Sequence, residues 1–192
     1  MNPKKIIMSA ALAISALFAM FLLLDDEAKA EASSNKLTVP KITEVMAGKG
    51  KMAPNFMWEE DGKTKTFAEM TKGKVVFVNF WATWCPPCRR EIPDIIKLNK
   101  DLKEKGSNVV FVGIGLDRGA DANQKLTDYI NSSKFNYPVL HEDSGKLAGA
   151  FGGASSIPTT YIISKKGEIV EKIVGMRSYE DFDNAIKMAM TK

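Results

Sequence analysis

Apolar positions recur along this chain in three patterns. Lys74 to Trp81 is a continuous apolar run, as expected of a strand covered on both faces of a sheet, and Asn108 to Leu116 is a second. Between them, Ile92, Ile95, Ile96, Leu98 and Leu102 recur at helical spacing. They predict a helix over 85–104 that ends near Gly106 and is kinked at Pro93. Asp121 to Lys134 reads as a helix with Leu126, Tyr129 and Ile130 facing inward. Tyr137 to His141 is a short extended piece, and Lys146 to Phe151 a short helix. Thr159 to Ser164 and Glu168 to Val174, separated by Lys165-Lys166-Gly167, read as a hairpin. Tyr179 to Met190 is a final helix on Phe182, Ile186 and Met190. Upstream, Met57 to Phe67 reads as a small hairpin about Asp61-Gly62, followed by a short helix from Thr66 to Lys72.

The first residues follow a different pattern. Lys4 and Lys5 precede the apolar stretch Ile6 to Leu24, and Ala28-Lys29-Ala30 offers a small-residue cleavage site. The stretch is long for a signal core of about 7–15 residues and near the roughly 20 that span a bilayer. Residues 1–30 are therefore read as a signal peptide or an uncleaved membrane anchor. Both place the remainder outside the cytoplasm, periplasmic or at the cell surface, with the lysines left inside. No cysteine stands directly after the stretch, which argues against a lipoprotein anchor. Residues 31–52 are polar and mixed and read as a linker and loose lead-in. A single domain is expected over 53–192.

The net charge is +4, and removal of 1–30 leaves it unchanged, because Lys4, Lys5 and Lys29 balance Asp25, Asp26 and Glu27. The remaining basic residues are scattered, which is a solvated surface rather than a nucleic-acid patch; Arg89-Arg90 is the local exception. The ten methionines read as core filler rather than a copper site, and His141, the only histidine, as a surface or turn residue without a role.

The chemistry is concentrated in Trp84-Cys85-Pro86-Pro87-Cys88, which holds both cysteines at the predicted start of a helix. Two thiols three positions apart close a very small ring. Such a ring gains little loop-closure stabilisation, so exchange chemistry explains the pair better than structure does. A helix N-terminus favours the thiolate of the first cysteine. Cys85 is accordingly the expected nucleophile, with a reachable sulfur, and Cys88, one turn in, the more covered resolving thiol. Pro86 and Pro87 remove two N–H groups from the first turn, which points toward a less depressed thiolate pKa and a more reducing pair. Glu91 falls three residues past Cys88, on its side of the helix, where a carboxylate can take or return a proton. Zinc would require four ligands, so no metal is expected at the pair.

Strand, helix, strand, helix, then hairpin and helix is an α/β order with a parallel and an antiparallel half. The string Gly73–Pro93, the opening Ala53-Pro54-Asn55-Phe56 and the segment Ser156–Ile163 together resemble the TlpA/ResA-type thioredoxin-like thiol-disulfide oxidoreductases. The resemblance covers 53 to about 190. It implies a mixed central sheet flanked by helices, with an N-terminal hairpin and a central insertion formed by the helix after Asp121 and the short helix after Gly145. It implies an exported domain that reduces disulfides in exported partners, such as apocytochromes c, through Cys85 and Cys88. No cofactor beyond that disulfide, a membrane electron donor of the DsbD/CcdA kind and a monomer go with it. It supports an acid at Glu91, and a cis peptide before Pro158 that exposes the Ile157 backbone to an extended substrate. Trp84, with Pro86 and Pro87, is the expected apolar docking rim, and Trp81 packing. Ordinary thioredoxins carry an Asp six residues before the first cysteine; Asn79 stands there instead, which moves the proton work to Glu91 or water. An oxidase or isomerase of the same fold is the alternative. A copper chaperone of the Sco kind lacks its C-x-x-x-C spacing here. A peroxiredoxin lacks its Thr or Ser and Pro, since Ala82 and Val78 occupy those positions.

Overall fold

The computed structural model describes residues 38–153 and 156–191. The signal or anchor read over 1–30, and the lead-in up to residue 37, lie outside the described residues. From Thr38 onward the elements are β1 (Ile42–Met46), β2 (Asn55–Glu60), β3 (Lys63–Thr66), α1 (Phe67–Thr71), β4 (Val75–Trp81), α2 (Pro86–Glu104), β5 (Val109–Gly115), α3 (Ala122–Ser133), β6 (Val139–His141), α4 (Lys146–Ala150), β7 (Thr159–Ile163), β8 (Ile169–Val174) and α5 (Tyr179–Met190).

A five-stranded sheet in the order β6-β5-β4-β7-β8 carries the molecule. β4 is its centre: all seven residues are buried, and it runs parallel to β5 and antiparallel to β7. Its side chains alternate between two cores, as the pleat requires. Val75, Phe77 and Trp81 join Ile92, Ile95 and Leu98 of α2 and Phe182 and Ile186 of α5 on one face. Val76, Val78 and Phe80 join Phe56, Phe67, Leu147 and Phe151 on the other. This is the mixed, helix-flanked sheet that the element order predicts. The segment expected as an insertion contributes α3 and β6, and β6 extends the sheet as a parallel edge strand beside β5.

The small hairpin forms about Asp61 and Gly62, both at positive φ (53° and 68°), the backbone of a two-residue turn that matches strand twist. Two expectations need correction. The lead-in is not loose: β1 pairs antiparallel with β2 to complete a three-stranded sheet, with Val45 opposite Phe56. Only Ile42 and Val45 of this strand are even half-buried, so its apolar pattern was too sparse to read. The extended piece before Glu142 narrows to Val139–His141. α2 runs from Pro86 to Glu104 with Pro93 inside it. Pro93 lies on the exposed face of the helix.

Candidate active site

β4 ends at Trp81, and a three-residue connection delivers Cys85 to the start of α2. Cys85 N–H donates to the carbonyl of Ala82 at 3.2 Å, which closes a tight turn. Cys85 is the N-cap of α2 in extended conformation (φ −92°, ψ 104°), with Pro86 and Pro87 in the first turn. Cys88 N–H donates to Cys85 Sγ at 3.3 Å. The sulfur of the first cysteine thus occupies the place where a capping oxygen usually sits, and the helix N-terminus favours negative charge there.

The two sulfurs form a disulfide, with Cα atoms 5.3 Å apart. Cys88 is completely covered, as expected. Cys85 is only 3% exposed in this oxidised form, which corrects the expectation of an open sulfur. What stands open beside it is Trp84, at 65% the most exposed large apolar residue described. Pro86 is exposed and Pro87 half-buried. Across from the pair, the carbonyl oxygen of Ile157 lies 3.7 Å from Cys85 Sγ, and the Ile157–Pro158 peptide is cis. Gly175 N–H holds the Pro158 carbonyl at 2.9 Å, which ties this loop to the end of β8. Trp84, Cys85, Ile157 and Pro158 are therefore brought together. Trp81 is instead wholly buried, packed against Tyr129 and Phe135.

Glu91 is 1% exposed beneath α2. Its Oε1 accepts from Asn79 Nδ2 at 2.9 Å, and its Oε2 from Arg177 N–H at 3.3 Å. Burial pushes its pKa up to about 7, against the lowering effect of those two donors. Asn79 Nδ2 also donates to Thr160 Oγ1 at 3.0 Å. The residue that replaces the usual buried acid is thus a partner of the acid this chain does have.

A helix-capping dithiol pair, a nearby loop carbonyl and a carboxyl group that titrates near neutrality can exchange disulfides. Comparison with known proteins agrees. Residues 48–187 match the Redoxin family. The chain is 34% identical over 138 residues to the thiol-disulfide oxidoreductase ResA of Bacillus thuringiensis (strain Al Hakam), covering 72% of this chain and 76% of that protein. It is 33% identical over 155 residues to ResA of Bacillus subtilis (strain 168), covering 77% and 83%.

The chain belongs to the ResA-type thiol-disulfide oxidoreductases of the Redoxin family.

A solved structure of a thiol:disulfide interchange protein of the thioredoxin family from Chlorobium tepidum TLS superposes with a TM-score of 0.63. It is 36% identical to this chain and covers 74% of it and 97% of its own.

In this oxidoreductase the end of β6 also differs from expectation. His141 is no surface residue: it is 5% exposed, and its Nε2 lies 2.9 Å from the carbonyl oxygen of Asp117. Asp117 itself was not singled out from the sequence. It is buried and binds Thr83 beside the redox pair. A signal for it existed, because parallel strands bring their C-terminal ends together. The residues that follow Leu116 must therefore lie near those that follow Trp81. Among the described residues, no three His, Cys, Asp or Glu side chains come together as a metal site, and no helix is long and apolar enough to cross a membrane.

Proposed function

We propose that this oxidoreductase works outside the cytoplasm as a reductant of disulfides in exported proteins, with Cys85 attacking, Cys88 resolving and Glu91 handling the proton. The observation that carries the reading is the placement of Cys85 Sγ at the N-cap of α2, over the N–H of Cys88.

In the reduced enzyme the Cys85 thiolate attacks one sulfur of a partner disulfide. A mixed disulfide forms, and the partner's other sulfur leaves as a thiolate that takes a proton from solvent. Glu91 accepts the Cys88 proton, and the Cys88 thiolate attacks Cys85 Sγ. The second partner sulfur leaves and is protonated. The partner ends as a dithiol and the enzyme as the Cys85–Cys88 disulfide. A membrane dithiol donor of the DsbD/CcdA kind would restore the reduced state. Trp84 supplies an apolar platform, and the Ile157 carbonyl beside Cys85 Sγ an acceptor, for an extended partner segment. The segment 1–30 would export or tether the domain, and apocytochrome c is a fitting substrate.

The test is capture. Cys88→Ser removes the resolving thiol, so Cys85 should retain exported partners as mixed disulfides identifiable by mass spectrometry. A reduction potential near −270 mV or below supports a reductant, and one near −120 mV would assign the pair to disulfide formation instead. Failure to trap any covalent partner would remove protein disulfides from the proposal.

A further inference from the structure

Strands β4 and β5 end side by side, with Trp81 opposite Gly115. Leu116 N–H continues the ladder to the Trp81 carbonyl at 2.9 Å, so the next residue, Asp117, arrives beside the connection that leads to Cys85. Asp117 is 2% exposed. Its Oδ2 accepts the Thr83 N–H at 3.0 Å, and its Oδ1 accepts the Thr83 hydroxyl. A buried carboxylate is costly unless strong donors satisfy it. Here both oxygens take their donors from one residue, two positions before Cys85, inside the turn that the Cys85 N–H to Ala82 bond closes. The Asp117 backbone is held in turn by His141 Nε2, and His141 N–H is fixed on the Pro40 carbonyl at 2.8 Å. From α3, Lys125 lies within electrostatic reach of the carboxylate. Asp117 forms no hydrogen bond with either sulfur, and the exchange steps above give it no proton to move.

We propose that Asp117 is a positioning residue for disulfide exchange: by binding both donors of Thr83 it holds the Ala82–Cys85 turn so that Cys85 Sγ remains at the N-terminus of α2, facing the Cys88 N–H. Stabilisation of an anion by a helix N-terminus fades within the first turn. A connection freed from Asp117 therefore lets the sulfur drift from its cap position and raises the thiol's proton affinity. The proposal rests on the reading of Cys85 as the attacking thiol.

The experiment measures iodoacetamide alkylation of Cys85 against pH in the reduced full chain, by peptide mass spectrometry, with a thermal melt of each variant. Asp117→Ala and Thr83→Val should each move the Cys85 midpoint upward. A shift of one unit would slow alkylation below the midpoint by about tenfold. Asp117→Asn keeps an oxygen for the Thr83 hydroxyl and should stay closer to the parent. Should Asp117→Ala fail to fold, Thr83→Val, which only exchanges a hydroxyl for a methyl, carries the test alone. Folded variants with the parental alkylation profile would reduce the clamp to scaffolding and overturn the proposal. A downward shift shared by Asp117→Ala and Asp117→Asn would also overturn it, since the carboxylate would then be acting on the thiol by charge. An ordinary, slow profile in the parent itself would instead bring down the reading of Cys85.

Discussion

At the scale of single residues, Glu91 shows how burial changes an ordinary carboxyl group. Its proton is retained up to a pH of about 7 because burial penalises the charge more than Asn79 and Arg177 stabilise it. In the proposed exchange the form that accepts the Cys88 proton is the carboxylate, so the resolving step should accelerate as pH rises through that value. Glu91→Gln should lose this inflection and slow resolution by roughly a hundredfold, the lower end for a positioned base, because water can substitute. Stopped-flow resolution of a mixed disulfide across pH checks it, and an unchanged inflection would clear Glu91 of the role. Trp84 is the opposite case, a large side chain left in solvent. Trp84→Ala should change stability by no more than about 0.5 kcal/mol. It should raise KM for a protein disulfide while leaving the rate with a small disulfide near the parental value. Equal effects on both substrates would argue against docking.

At the scale of elements, two helices build the site from their first turns. α2 presents Cys85 as its cap, and the Ser178 cap of α5 directly follows Arg177, whose N–H holds Glu91. The start of α5 is fixed by a capping box. Ser178 Oγ accepts from Asp181 N–H at 3.3 Å, and Asp181 Oδ2 accepts from Ser178 N–H at 3.2 Å. The Ser178 N–H first, and then the Ser178 hydroxyl that donates to the same Oδ2 at 3.0 Å, hold the Asp181 carboxyl below its usual range. Ser178→Ala should cost about 1 kcal/mol in urea denaturation. A variant as stable as the parent would mean that packing of Phe182 and Ile186, not the cap, sets where α5 starts.

At the scale of the whole molecule, the proposed proton transfer and the stability of the fold pull against each other through the same carboxyl group. Glu91 has a folded pKa of about 7 against an ordinary 4.5, so between those values the folded chain binds a proton that the unfolded chain has lost. Stability is then highest below the ordinary value and falls as pH rises toward the folded one, by roughly 3 kcal/mol for a shift of this size. The surface carboxylates Asp101, Asp121, Asp143 and Asp181, each held low first by a hydrogen bond, act oppositely at the acid end. The molecule should be most stable in mildly acidic solution. Denaturation at about pH 5 and about pH 8 should show the oxidised parent losing more stability than Glu91→Gln on the alkaline side. Parallel losses would place the titration elsewhere.

The sequence by itself determined the strands and helices with strong periodicity, β4 and α2 above all, and placed the cysteine pair at their junction. Those features are local: an apolar run and a cap can be read from neighbours in the chain. It also placed Glu91 beside Cys88, since helical spacing makes three residues one turn. The tertiary structure alone decided which polar groups are buried and what satisfies them. The bonds from Asn79 and Arg177 to Glu91, from Thr83 to Asp117, and from His141 to the Asp117 carbonyl join residues 12, 86, 34 and 24 positions apart. β1 was decided there as well, because two half-buried side chains make a strand only when a neighbouring edge supplies the ladder. Desolvation depends on everything packed around a group, and no window of sequence contains that.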